Sequence, residues 1–150
     1  MESTDRIEKH LLLKATQSRV WRALTDAAEF GSWFQAKFET PFKAGQHAVG
    51  QITHPGYEHL RIEIFVERMD AQHLFSFRWH PYAVDPTIDY SAEPTTLVEF
   101  KLAEATGGTL LTVCESGFDR IPAARRAEAF RMNSQGWAAQ LENIERHVAA

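Results

Sequence analysis

Hydrophobic residues recur along this chain with two different periods, and the switches between them mark the elements. IEKHLLLKA, Ile7 to Ala15, sets Leu11, Leu13 and Ala15 on one side of a first strand. Ser18 then offers an N-cap for RVWRALTD, a helix of about two turns. AAEFGSWF follows, where Gly31 predicts a break or a second short helix. Beyond Pro41 the period falls to that of strands. HAVGQITH ends at the turn Pro55-Gly56, and LRIEIFVER sets Leu60, Ile62, Ile64 and Val66 against Arg61, Glu63 and Glu67. LFSFRW groups Phe75, Phe77 and Trp79 opposite Ser76 and Arg78, and TTLVEFKL groups Val98, Phe100 and Leu102 opposite Glu99 and Lys101. Gly107-Gly108 predicts a hairpin turn, after which TLLTVCES places Leu111 and Val113 opposite Thr112, Cys114 and Ser116.

From about Pro122 to Val148 the helical period returns, with Phe130, Trp137, Leu141, Ile144 and Val148 as the apolar stripe. Asn133 and Ser134 interrupt that stripe, and Gly136 costs about 1 kcal/mol of helix propensity relative to Ala. This half of the helix either packs closely on a strand or faces a hollow. The order of elements predicts an α+β domain over residues 1–150, in which a sheet with one wet face is covered on the other by the terminal helix.

VWRALTD…WF after a first strand, FSFRW in the middle, TLVEFKL followed by GGTLLTVCESGF, and a helix carrying GWAAQLENI occur in this order. Together they resemble the START-like helix-grip (SRPBCC) superfamily over about Ile7 to Val148. Within it they are most similar to the branch named after the C-terminal domain of activators of the heat-shock-protein-ninety ATPase. The resemblance implies a helix-grip fold: a curved antiparallel sheet wrapped around a long C-terminal helix, with two short helices after the first strand. It also implies a deep, largely apolar cavity between that helix and the sheet. Members of the superfamily bind lipids, hormones, polyketides or other hydrophobic molecules; some are cyclases, and some act through protein contacts.

Charge narrows the partners. A formal net charge of −4 argues against nucleic acid or an anionic membrane surface, and the basic doublet Arg125-Arg126 reads as a solvated helix face. The first residues, MESTDRIEKH, are charged, and Leu11-Leu12-Leu13 is far too short for a signal peptide or a membrane span, so the cytoplasm is the expected compartment. One cysteine, Cys114, excludes an internal disulfide and a multi-cysteine zinc site. The histidines carry no metal-binding spacing; His54 and His59 straddle the Pro55-Gly56 turn. No nucleophile motif and no phosphate-binding glycine loop occurs, so no catalytic residue, metal or cofactor is expected.

The candidate ligand-binding residues are Phe30, Trp33, Phe34, Phe77, Trp79, Glu115, Phe130, Ser134 and Trp137. Trp21 and Leu24 read as core. Phe30, Trp33 and Phe34 sit where the resemblance places the cavity mouth, and read equally as lining or as core. Trp79 ends its strand beside the proline-rich loop from His80 to Pro94, a position that suits a cavity rim; His80 and Tyr82 read first as loop side chains. Glu115 continues the inward face set by Leu111 and Val113. A carboxylate there needs a partner, water or a ligand, unless the strand ends or bulges before it.

Three functions compete. The first is binding of a small hydrophobic or amphipathic molecule in the cavity. The second is an enzyme of the polyketide cyclase or hydratase kind, with Glu115 or a nearby His as acid or base. The third is a co-chaperone-like domain acting on a protein partner. Catalysis asks for two convergent titratable groups, and sequence offers only Glu115. The charged outer face (Arg61, Glu63, Glu67, Arg78, Glu99, Lys101) disfavours the third.

Overall fold

The period-two segments pair into one antiparallel sheet: β1 (Arg6–Leu13), β2 (Ala36–Phe38), β3 (His47–Ile52), β4 (Arg61–Asp70), β5 (Leu74–Trp79), β6 (Thr96–Ala105) and β7 (Gly108–Ser116). Their order across the 7-stranded sheet is β1-β7-β6-β5-β4-β3-β2. Two short helices, α1 (Gln17–Thr25) and α2 (Ala27–Phe34), follow β1, and the long α3 (Ala123–Ala149) closes the chain over the apolar face. The computed structural model describes residues 4–85 and 87–149. This is the α+β helix-grip architecture. Among the described residues no helix is long and apolar enough to cross a membrane.

Alternation decides the register. Val98, Phe100, Leu111 and Val113 are buried, Lys101 is exposed, and Glu99 and Thr112 are partly covered on the outer face. A slip of one residue would have exchanged the two sets. The cross-strand neighbours Phe75, Phe100 and Val113 form one inward row, and α3 lays Trp137, Leu141, Ile144 and Val148 onto the same core.

Several local details differ from the sequence reading. Thr16, rather than Ser18, caps α1: its side chain accepts from the Arg19 N–H at 3.2 Å. Helix α2 runs unbroken through Gly31, started by Asp26, whose carboxylate accepts from the Glu29 N–H at 3.0 Å. The β6–β7 turn is Thr106-Gly107, and Gly108 already pairs with Ala105. The outer face is not uniformly wet, since Ser76 and Cys114 are both 2% exposed. They lie in one cross-strand row with Arg68, Glu99 and Glu8, whose long side chains flank them. Burial pushes the Cys114 thiol above its ordinary pKa; the Arg6 charge opposes this and the Glu99 and Glu8 charges add to it. Gly136, finally, is exposed with nothing near its missing side chain, so close packing is not its reason.

The three helices are fastened at one point. Glu29 of α2 accepts from Arg19 of α1 at 2.7 Å and from His147 of α3 at 2.9 Å, and pairs with Arg22 at 2.6 Å. Partial burial pushes the Glu29 pKa up, but the hydrogen bonds from His147 and Arg19 and the charges of Arg19 and Arg22 outweigh it, and the net shift is downward from 4.5. A carboxylate held below its unfolded value stabilises the fold above that value and loses this contribution as pH falls through the folded one. Stability therefore drops below about pH 4.5 partly through this group, and Glu29→Gln is expected to flatten that part of the acid limb. Urea midpoints between pH 5 and 3 test this; parallel limbs for the two proteins would remove Glu29 from the account.

Candidate functional site

Glu115, near the end of β7, points inward as alternation requires and is 0% exposed. Its carboxylate is held entirely by neutral donors. Oε2 accepts from the Trp79 indole at 2.7 Å and the Thr96 hydroxyl at 2.5 Å, and Oε1 accepts from the Trp137 indole at 2.8 Å. The Asn133 side-chain amide reaches both oxygens, at 3.0 and 3.2 Å. Among the described residues no Lys, Arg or His forms an ion pair with it. The donors come from the end of β5, the start of β6 and the middle of α3, so one carboxylate joins these elements at one end of the sheet. Hydrogen bonds made in a dry site are stronger than the same bonds in water.

Around this hub the interior is filled. Trp79 stacks on Trp137 with ring centres 5.7 Å apart, and Trp137 meets Phe100 edge-on at 5.6 Å. Phe30 and Phe77 are fully buried, and Trp33 donates its indole N–H to the Ala23 carbonyl at 2.8 Å. Trp79, Trp137 and Phe100 thus pack the space between helix and sheet beside the hub.

Open volume lies at the rim. Strand β4 pairs with β3 from Arg61 onward but with β5 only from Phe65 onward, so the sheet parts between the start of β4 and the end of β5. A cleft of about 540 Å³ occupies the gap. Strands β3 and β4 contribute Ile52 and Ile62, with Leu60 just before β4; the loop over residues 80–95 contributes Tyr82, Val84 and Tyr90. Phe34, Trp79 and Asn133 join the cleft to the interior. Tyr82 holds a left-handed φ of 50°, a conformation that costs an L side chain about 1–2 kcal/mol. Arg125 of α3 fastens the loop: it pairs with Glu93 at 2.6 Å, donates to the Pro81 carbonyl at 2.7 Å and lies over the Tyr90 ring at 4.8 Å. His80 Nε2 donates to the Glu93 carbonyl at 3.1 Å and ties the two feet of the loop together.

Of the candidate residues, Phe34 and Trp79 line this cleft. Glu115 and Trp137 lie directly behind it, linked through Trp79 and Asn133. Phe30, Trp33 and Phe77 belong to the packed core, Phe130 packs edge-on against Phe118 at 5.2 Å, and Ser134 is half-buried on α3. Sequence reasoning marked Asn133 as a break in the apolar stripe without counting it among the site residues, and passed over Thr96. Asn133 stands one helical turn before Trp137, and Thr96 is the cross-strand partner of Trp79. Both signals were available once Glu115 was known to point inward. Among the described residues no three His, Cys, Asp or Glu side chains gather where they could hold a metal ion.

Solved structures share this fold at low identity. A Mesorhizobium loti protein is 22% identical, with 96% of each chain covered and a TM-score of 0.75. DynU16, a protein of the dynemicin biosynthetic locus, is 20% identical over 97% of this chain and 48% of its own, with a TM-score of 0.74. The Aha1 dimer from Colwellia psychrerythraea is 13% identical, with 95% of each chain covered and a TM-score of 0.70. No curated protein matches the sequence. Residues 14–149 match the family described as Activator of Hsp90 ATPase homolog 1-like protein, and with nearly the whole chain inside that match, the protein belongs to this family.

Proposed function

We propose that the chain is a single ligand-binding domain that holds a small amphipathic molecule in the cleft between β4, the 80–95 loop and α3. The observation that carries this reading is the cleft itself: about 540 Å³ of space, apolar along Ile52, Leu60, Ile62 and Phe34, with few polar groups at its inner end. That size and lining suit a drug-sized molecule. Binding is favoured over acid–base catalysis because Glu115 is buried and engaged by Trp79, Thr96, Asn133 and Trp137, and among the described residues no Lys, Arg or His pairs with it. The lone, covered thiol of Cys114 suits a reducing, cytoplasmic setting.

Native mass spectrometry of the purified protein, followed by a thermal-shift screen of flavonoids, fatty alcohols and polyketide-like aromatics, tests this reading. A true ligand at a hundred times its Kd raises stability by about 2.7 kcal/mol, or about 5–10 °C for a chain of this size. Ile52→Trp, which places a large ring in the cleft, is expected to abolish the shift. No retained mass and no shift with any class would end the proposal.

A further inference from the structure

The inner end of the cleft presents acceptors, and Glu115 is the reason. A carboxylate accepts and an amide NH2 donates, so the pair of contacts from Asn133 Nδ2 to Glu115 leaves the Asn133 amide only one orientation. Its Oδ1 then has no hydrogen-bond partner among the described residues and is not a buried orphan, and Asn133 is one of the residues that line the cleft. The Trp79 indole, which also borders the cleft, is already committed to Glu115. His80, which also lines the cleft, follows the same pattern: Nε2 donates to the Glu93 carbonyl, and in the neutral ring Nδ1 is left as an acceptor.

Resting on the cleft as the binding site, we propose that it selects molecules bearing a neutral hydrogen-bond donor, a phenol or alcohol on an apolar body, and discriminates against carboxylates and ethers of the same shape. The donor hydroxyl bonds to Asn133 Oδ1. An ether leaves that oxygen desolvated and unpaired, and a carboxylate sets negative charge against it with Glu115 immediately behind. Tyr82 and Tyr90 hydroxyls can donate or accept and do not discriminate. Arg61 is the cation at the rim, but its side chain is 66% exposed and turned toward Glu39, so a carboxylate pairing there stays in water and gains little. Glu115 acts as a positioning residue: it never meets the ligand, yet it decides which face of the Asn133 amide the ligand meets.

The test uses three probes with one apolar body: 2-naphthol, 2-methoxynaphthalene and 2-naphthoate, measured by equilibrium dialysis at pH 7 against wild type, Glu115→Gln and Ile52→Trp. Wild type is expected to hold 2-naphthol at least about tenfold more tightly than either other probe. Glu115→Gln offers Asn133 an amide that can donate as well as accept, so the Asn133 amide is free to turn. The preference should then shrink to within about threefold in protein that circular dichroism shows to be folded, a change that lost stability alone would not produce. Equal or tighter binding of 2-naphthoate by wild type overturns the selectivity while leaving the cleft in place. If 2-naphthol binds wild type no better than Ile52→Trp, the cleft reading falls and this inference falls with it. Should Glu115→Gln not fold, the wild-type ranking of the three probes decides alone.

Discussion

Glu115→Ala is expected to lower stability by about 3–5 kcal/mol, although it removes a polar group from the interior of the protein. The loss comes from the groups left behind. Removing the acceptor strands the Thr96 hydroxyl and the Trp137 indole, whose residues are 0% and 3% exposed, and takes a partner from Trp79 and Asn133 as well. Each buried donor left unpaired costs about 1–3 kcal/mol, and the vacated side-chain volume adds a cavity term. Glu115→Gln keeps the volume and one acceptor, so its loss should be smaller, about 1–2 kcal/mol. Urea midpoints at unchanged m-value measure both. An alanine variant within about 1 kcal/mol of wild type would mean that the hub does not hold β5, β6, β7 and α3 together.

The second large effect comes from a single methyl group. At Gly31 a side-chain Cβ would stand 2.1 Å from the Ala36 carbonyl oxygen, a backbone atom that cannot swing aside. The chain leaves α2 through Gln35, at a φ of 68°, and folds back so tightly that β2 begins against the helix. Gly31→Ala is expected to cost about 3 kcal/mol and to lower the melting temperature by about 6–12 °C. The same substitution at Gly136, in an exposed turn of α3 with nothing within 4 Å, should instead stabilise by about 0.5–1 kcal/mol. Thermal melts of the two variants read the contrast directly. A neutral Gly31→Ala would show that α2 and β2 do not lie this close.

These two residues also show how far sequence reaches. Alternation through β6 and β7 is local, so it identified the inward set and offered an inward Glu115 as one of two readings, the other being a strand that ends or bulges before it. Which donors meet that carboxylate is not local: it depends on how far α3 slides along the sheet before Trp137 and Asn133 come level with β7. Gly31 reads in sequence as a break or as part of a second short helix, and it is the second; what sequence does not show is its role, the close approach of Ala36, a contact with a different element. The aromatic run Phe30, Trp33 and Phe34 was ambiguous for a related reason. Since α2 continues unbroken, its period turns Phe30 and Trp33 into the core and leaves Phe34 at the cleft. The cleft's position was the least legible feature. It follows from where β4 and β5 part company, near the register shift between Val66 and Arg68, and a bulge leaves no distinct mark in LRIEIFVER.

The cross-tied loop over residues 80–95 has a consequence for how such a protein can change. Its feet are held by His80, Glu93, Pro81 and Arg125, and the span that carries Tyr82, Val84 and Tyr90 over the cleft lies between them. Closing a longer span between fixed feet costs only about 0.6 kcal/mol for each doubling of its length. Insertions and wholesale replacements in that span are therefore cheap, whereas Trp79, Thr96, Asn133 and Trp137 are bound to one another through a single carboxylate and cannot vary one at a time. Descendants of this chain can acquire a new cover for the cleft by ordinary length variation while inheriting its inner end unchanged.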